Sequence, residues 1–249
     1  MSNPATELRR RIDAGLDAAG GGSRLFFRAD DIGVPSAGFE RLMMLFARWR
    51  VPLCAAVVPA WTTVRRWHLI RRWGRATPEL WCWHQHGWRH ANHEREGKKQ
   101  EFGPSRPQAK ALLDLRRGKD RLEEILGNEF FPVFTPPWNR CSDATLTALV
   151  RLNFRAVSRS CGARPSAPPN LPEFPVQVDL HTRKESVGAD PWDAMLGELQ
   201  EGVADGCCGI MLHHRRMDDG AFEFLERLLP ILVKNPRIEL VNFSHLLTV

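Results

Sequence analysis

The chain lacks the features that would send it into or across a membrane. No apolar run approaches the roughly 18 residues that a spanning helix needs. The first twenty residues carry Arg9, Arg10, Arg11 and Asp17 with no continuous apolar core, so they do not read as a signal peptide. The six cysteines (Cys54, Cys82, Cys141, Cys161, Cys207 and Cys208) include no Cys-x-x-Cys pair, which argues against a zinc ribbon. Cys54 and Cys82 fall in apolar, strand-like runs and read as buried reduced thiols. With no export signal, a reducing compartment and a cytoplasmic location are expected. There is no internal repeat and no low-complexity tract, and the short Pro-rich stretch 165–172 is the only candidate divider.

What is present suits a globular protein of one domain spanning residues 1–249, with its core at about 24–245. A chain of 249 residues can bury a sizeable core. Its 43% hydrophobic and 26% charged content is ordinary. The formal charge is +6 and the pI about 9.3, with arginine concentrated in the segment 65–75. Basic and aromatic residues interleave there as they do in some nucleic-acid binders. Val64, Trp67, Ile70 and Trp73 recur at helical spacing, however, so the segment reads first as a helix with a solvated basic face. Nucleic acid is therefore not the expected partner, and attraction to an anionic surface or polymer is the residual reading.

Strand-length apolar runs alternate with helical patterns nearly throughout. Strands are predicted at 24–29, 52–58, 79–84, 131–134, 155–158, 174–180, 208–213 and 237–241. Helices are predicted at 5–18, 37–49, 64–75, 105–126, 143–152, 191–204 and 219–234, with Ser142 as an N-cap. This β/α order, repeated about seven times, implies parallel pairing through right-handed crossovers in a barrel or wound sheet. In either architecture chemistry collects at the carboxyl ends of the strands. Asp30-Asp31 follow the first strand, and His86 and His90 follow the third. Trp138-Asn139 follow the fourth, Asp179 and His181 the strand near 174–180, and His213-His214 the strand near 208–213. Seven of the nine histidines (His84, His86, His90, His93, His181, His213 and His214) lie at such ends or just beyond.

Asp31, His86 and His90 form a plausible two-His, one-carboxylate ligand set that leaves a position open for water, as in catalytic zinc sites. The His-x-x-x-His spacing would put both imidazoles on one side of a helical turn. Side chains alternate along a strand, so the adjacent Asp30 would not share the metal. It would instead sit beside the water as a candidate general base. His213 ends an apolar strand and could protonate a leaving group; His214 would point elsewhere, as a supporting or surface residue. Pro136-Pro137-Trp138 offers a rigid turn and an aromatic wall on which a sugar could stack, though a packed tryptophan accounts for it equally well. Asp179 could orient a catalytic side chain.

Four segments, Arg28-Ala29-Asp30-Asp31-Ile32-Gly33, His86-Gly87-Trp88-Arg89-His90, Phe134-Thr135-Pro136-Pro137-Trp138-Asn139 and Ile210-Met211-Leu212-His213, occur in the order and rough spacing of the polysaccharide deacetylase, or NodB homology, family. The resemblance spans roughly residues 24–215. It implies a distorted (β/α)7 barrel and metal-dependent removal of acyl groups from amino sugars, with Zn2+ as the expected ion. It also implies Asp30 as base, Asp31, His86 and His90 as metal ligands, and His213 as acid. Pro137, Trp138, Asn139 and Asp179 would face the carbohydrate, and the backbone amide near Trp138 would help hold the oxyanion. The chain departs from the family in three places. The third motif usually opens with an arginine that holds the base, and here Thr135 stands there; Arg140, Arg159 or Arg183 would have to substitute. His214 stands where an aspartate often follows the acid histidine, and the fourth motif is matched only by Asp179. With no export signal, a lipid- or nucleotide-linked amino-sugar intermediate is expected rather than a wall polymer. Two alternatives are a hydrolase of another non-peptide C–N amide bond and a non-catalytic carbohydrate- or nucleic-acid-binding barrel.

Overall fold

A computed structural model describes residues 4–180 and 191–248. Its centre is strand β1 (Ser23–Ile32), parallel to β2 (Leu53–Val57), which pairs in turn with β3 (Trp81–His86), β4 (Phe130–Thr135) and β5 (Ala156–Val157). On its other side β1 pairs with β7 (Cys207–Leu212), which carries β6 (Val178–Asp179). The path β5-β4-β3-β2-β1-β7-β6 is a run of seven parallel strands, and β8 (Ile238–Val241) branches onto the lower half of β1. Bridges from Val157 to Glu173 and from Ser160 to Val176 join the segment before β6 to that after β5, which draws the two ends of the sheet together. The result is the expected distorted (β/α)7 barrel.

The period-2 alternation of a strand sorts the side chains of β1 between two environments. Leu25, Phe27 and Ala29 pack outward against the helices. Phe26 turns inward to join Cys54, Cys82, Val133 and Met211 inside the barrel. Arg28 and Asp30 follow Phe26 at the same parity, so they share the interior face. Strands buried on both faces need near-continuous apolar sequence, which is why Leu25-Phe26-Phe27 and Leu53–Val57 read as unbroken runs.

The outer helices are α1 (Pro4–Ala18), α2 (Ala37–Trp49), α3 (Val64–Gly74), α4 (Gln108–Leu126), α5 (Asp143–Arg151), α6 (Pro191–Ala204) and α7 (Asp219–Lys234). Side-chain caps start several of them: Ser36, Thr63, Ser142 and Asp218 each accept from a backbone N–H three residues on. A short α8 (Phe243–Leu246), not expected from sequence, closes the chain. Its Phe243 ring fills the interior against Phe26, His84 and Phe174, with centroids 5.3, 4.9 and 5.7 Å away.

Several expectations are corrected. The predicted helix from 105 begins only at Gln108, because Pro107 disfavours helical backbone at the residue before it. The predicted strand 174–180 is reduced to Val178–Asp179 and isolated bridges, Pro175 lacking the N–H that a ladder requires. In α3, Trp67 and Ile70 are buried as expected, but Val64 is 56% exposed in the first turn. His181 and Arg183 lie outside the described residues.

Candidate active site

β1 does not end before the acid pair; it runs through it. The register against β2 slips between Ala29 and Ile32, and Asp31 adopts φ 65°. That left-handed residue breaks the alternation, so Asp31 leaves the strand toward β3 while Asp30 stays in the barrel mouth. His86 is the last residue of β3. The expected helical turn between His86 and His90 is absent. Gly87 (φ 60°) and His90 (φ 59°) instead fold the chain back on itself. A Cβ on Gly87 would collide with the Glu101 carboxylate and the Pro137 ring, so this turn requires glycine. Buried Glu101 holds the turn by accepting the Trp88 and Arg89 N–H groups at 3.0 and 2.7 Å.

The outcome is a trio of donor atoms. His86 Nε2 and His90 Nε2 lie 3.4 and 3.2 Å from Asp31 Oδ1, and ligand atoms of all three residues fall within 4.8 Å of one another. Four ligands at about 2.0–2.1 Å from a tetrahedral zinc stand about 3.3 Å apart, so the spacing fits such an ion. Two further observations agree. Asp31 Oδ1 is buried with no hydrogen-bond partner. The His86 Nδ1–H donates to the Thr135 carbonyl at 3.0 Å, which leaves Nε2 unprotonated and aimed at the trio. Burial would raise the Asp31 carboxyl, but the close approach of the His86 imidazole, with His90 and His213 nearby, holds it well below the usual range. Burial, helped by His86, brings His90 down to about 4, as a neutral ligand requires. His90 lies between two indoles, 4.5 Å from Trp138 and 5.7 Å from Trp61.

Asp30, 2% exposed, is gripped by fully buried Arg28. Arg28 Nε donates to Oδ1 and Nη2 to Oδ2, both at 2.9 Å. Its remaining donors reach Ser158 Oγ at 2.8 Å and Asn139 Oδ1 at 2.7 Å. Burial pushes the Asp30 carboxyl up; the guanidinium, with His86 and His213, outweighs it and holds the group below its ordinary value. Arg28 thus holds Asp30 where the family uses an arginine at the position of Thr135. Neither described candidate does so: Arg159 is paired with Glu173, and Arg140 reaches the Lys99 carbonyl at 3.4 Å. Thr135 instead donates its hydroxyl to His84 Nε2 at 2.9 Å. That tautomer follows from the His84 Nδ1 contact with the Cys82 carbonyl at 3.3 Å. Burial and the nearby Arg28 charge bring His84 down to about 3.

These groups open on a cavity of about 310 Å³ lined by Asp30, Asp31, His86, His90, Trp138, Asn139, Asp179 and His213. Ser160, Met211 and Arg216, unexpected from the sequence, complete the lining together with Arg140, which lines the cavity instead of holding Asp30. Pro137 does not line the cavity; it is buried behind the turn, next to Gly87. His214, expected at the surface or in support, is buried against Phe39 with ring centroids 5.1 Å apart, and burial lowers it to about 4. Arg28 was missed although Arg28-x-Asp30 is the spacing that places two side chains on one strand face.

No family model matches the sequence, and no curated protein matches it. Solved structures do. One from Mycobacterium smegmatis, described as a polysaccharide deacetylase, aligns with TM-score 0.68 at 17% identity, covering 92% of this chain and 90% of that one. A family 4 acetyl xylan esterase from Clostridium thermocellum, in complex with a cobalt ion, gives 0.59 at 14%, covering 90% of each chain. A deacetylase determined with substrate gives 0.56 at 14%, covering 93% and 94%. The architecture is therefore the NodB-type fold of polysaccharide deacetylases.

Proposed function

We propose that the protein is a metal-dependent hydrolase that removes N-acyl groups, N-acetyl first among them, from an amino sugar. The observation that carries this reading is the convergence of the Asp31-His86-His90 trio, the Arg28-held Asp30 and His213 on one cavity. Asp31, His86 and His90 would hold the ion, most simply Zn2+, which would supply Lewis acidity toward the acyl carbonyl and lower the pKa of water to about 7. Asp30 accepts the proton of the attacking water on its carboxylate. Arg28 keeps both oxygens of that carboxylate in place and balances its charge. His213 delivers a proton to the departing amine nitrogen. The Trp138 turn, with φ 57° at Trp138 and 58° at Asn139, walls the site with an indole, and its backbone amide would help hold the oxyanion. Asp179 faces the sugar or orients His213.

An oxygen ester presents the same carbonyl, and one similar structure is described as an acetyl xylan esterase. The deciding experiment measures bound metal and acetate release from N-acetylated and O-acetylated saccharides. About one ion per chain and amide cleavage are expected, with the ion lost in His86→Ala and His90→Ala and cleavage lost in Asp30→Asn. A pure protein that binds no divalent ion at any concentration tested would defeat the proposal, and cleavage of esters alone would reassign the bond.

A further inference from the structure

Asp30, Asp31, His86 and His90 occupy the β1 and β3 side of the cavity, with the Trp138 turn after β4 and His213 after β7. The remaining wall is made of Arg140 after β4, Ser160 after β5, Asp179 on β6 and Arg216 after β7. These segments are neighbours around the closing side of the barrel, where the bridges from Ser160 to Val176 and from β6 to β7 lie. Among the described residues, two guanidinium groups and the Asp179 carboxylate thus stand on this wall.

Neither guanidinium has a carboxylate partner among the described residues. Among the described residues the Arg140 side chain hydrogen-bonds only the Lys99 carbonyl, at 3.4 Å, and the side chain of Arg216 makes no ion pair. Most other arginines close to this end of the barrel are spoken for: Arg28 by Asp30, Arg159 by Glu173 and Arg106 by Asp114. A third cation, Arg215, lies over the Trp61 ring that faces His90, 5.7 Å from its centroid. Serving the acyl-cleaving groups requires none of these charges. Arginine forks match the geometry of carboxylate and phosphate oxygens, and unpaired ones lining a concave site mark where such an anion is received.

We propose that Arg140 and Arg216 form an oxyanion-recognition subsite, and that the amino sugar this protein acts on carries a carboxylate or phosphate group. The proposal rests on the hydrolase reading for the identity of the sugar, but the subsite itself is defined by binding. Ser160, between the two arginines, offers a hydroxyl donor to the same group. The cavity lies at the small end of the roughly 300–1,000 Å³ typical of ligand sites, which suits one sugar ring and its substituent.

The test is calorimetric titration of the zinc-loaded protein with glucosamine 1-phosphate, muramic acid and neutral methyl glucosaminide. An anionic ligand should bind at least about 10-fold more tightly than the neutral one, and the advantage should shrink with added salt. In Arg140→Gln and in Arg216→Gln the ratio of anionic to neutral affinity should fall about 10- to 100-fold, the effect of losing one charge-assisted contact. Preference for the phosphate or for the carboxylate ligand identifies the source of the anion. Equal affinity for all three ligands, or a ratio insensitive to both substitutions, would overturn the proposal. If anion binding behaves as expected while no acyl group is cleaved from any substrate, the subsite stands and the hydrolase reading falls.

Discussion

Arg28 and Asp30 stand two residues apart on one strand and meet through two parallel hydrogen bonds of 2.9 Å, both side chains sealed inside the barrel mouth. The pair is a bidentate fork that fixes the plane of the carboxylate as well as its charge. Arg28→Lys keeps the charge and loses the fork. Its expected consequence is a fall in kcat of about 100-fold with zinc still bound, because a carboxylate displaced by about 1 Å loses most of its effect. Arg28→Met leaves a buried aspartate unpaired and should cost about 3–5 kcal/mol in denaturant unfolding. A Lys variant with native kcat would show that the fork has no part in the reaction.

Glu101 touches no reacting group yet holds the turn that returns His90 to Asp31. Glu101→Ala should weaken zinc affinity about 10- to 100-fold, as loss of an outer support does. Competition with a chromophoric chelator reads this directly, and unaltered affinity would mean that the turn holds its shape without the carboxylate.

Chelation should lower the melting temperature, since an ion bound only by the folded state stabilises it by mass action. Zinc added back should restore the midpoint. The His86→Ala and His90→Ala variants should melt at a temperature indifferent to chelator, which separates a specific site from general metal effects.

His84 and His214 are buried and held at about 3 and about 4, below the ordinary histidine value of 6.5. The unfolded chain therefore takes up protons on both as pH falls through 6.5, while the folded chain resists until pH 4 and then 3. Stability is full above 6.5 and is lost across that window, by up to a few kcal/mol per histidine. Urea midpoints from pH 7 to pH 4 should show this slope, and His84→Gln should flatten it. An equally steep slope in the variant would place the acid sensitivity elsewhere.

The alternation of apolar runs in the sequence was enough to read the barrel, because strands buried on both faces must be apolar throughout. Most polar residues that line the cavity were legible for a related reason: polar groups at the ends of such runs stand out against them. What stayed hidden depended on backbone conformation or on contacts between distant segments. The turn from His86 to His90 looked helical by spacing, but positive φ at Gly87 and His90 brings the imidazoles together. The sequence offers Arg140, Arg159 and Arg183 as partners for Asp30 in place of the family's arginine at position 135, although the i, i+2 rule puts Arg28 beside it. α8 escaped notice because Phe243–Leu246 is too short for periodicity to register. Pro137 read as a wall because its neighbour Trp138 is one; the positive φ at Trp138 turns the indole to the cavity and leaves the proline behind.

With Arg28 rather than residue 135 holding Asp30, Thr135 is free to pair with neutral His84, and the turn that follows it is released from supporting that carboxylate. On the proposed reading, Trp138 and Arg140 can then change identity to admit a different sugar while the Arg28–Asp30 pair on β1 keeps its setting. Division of labour between two strands gives such a barrel a route to new substrates in which recognition drifts and reactivity is conserved.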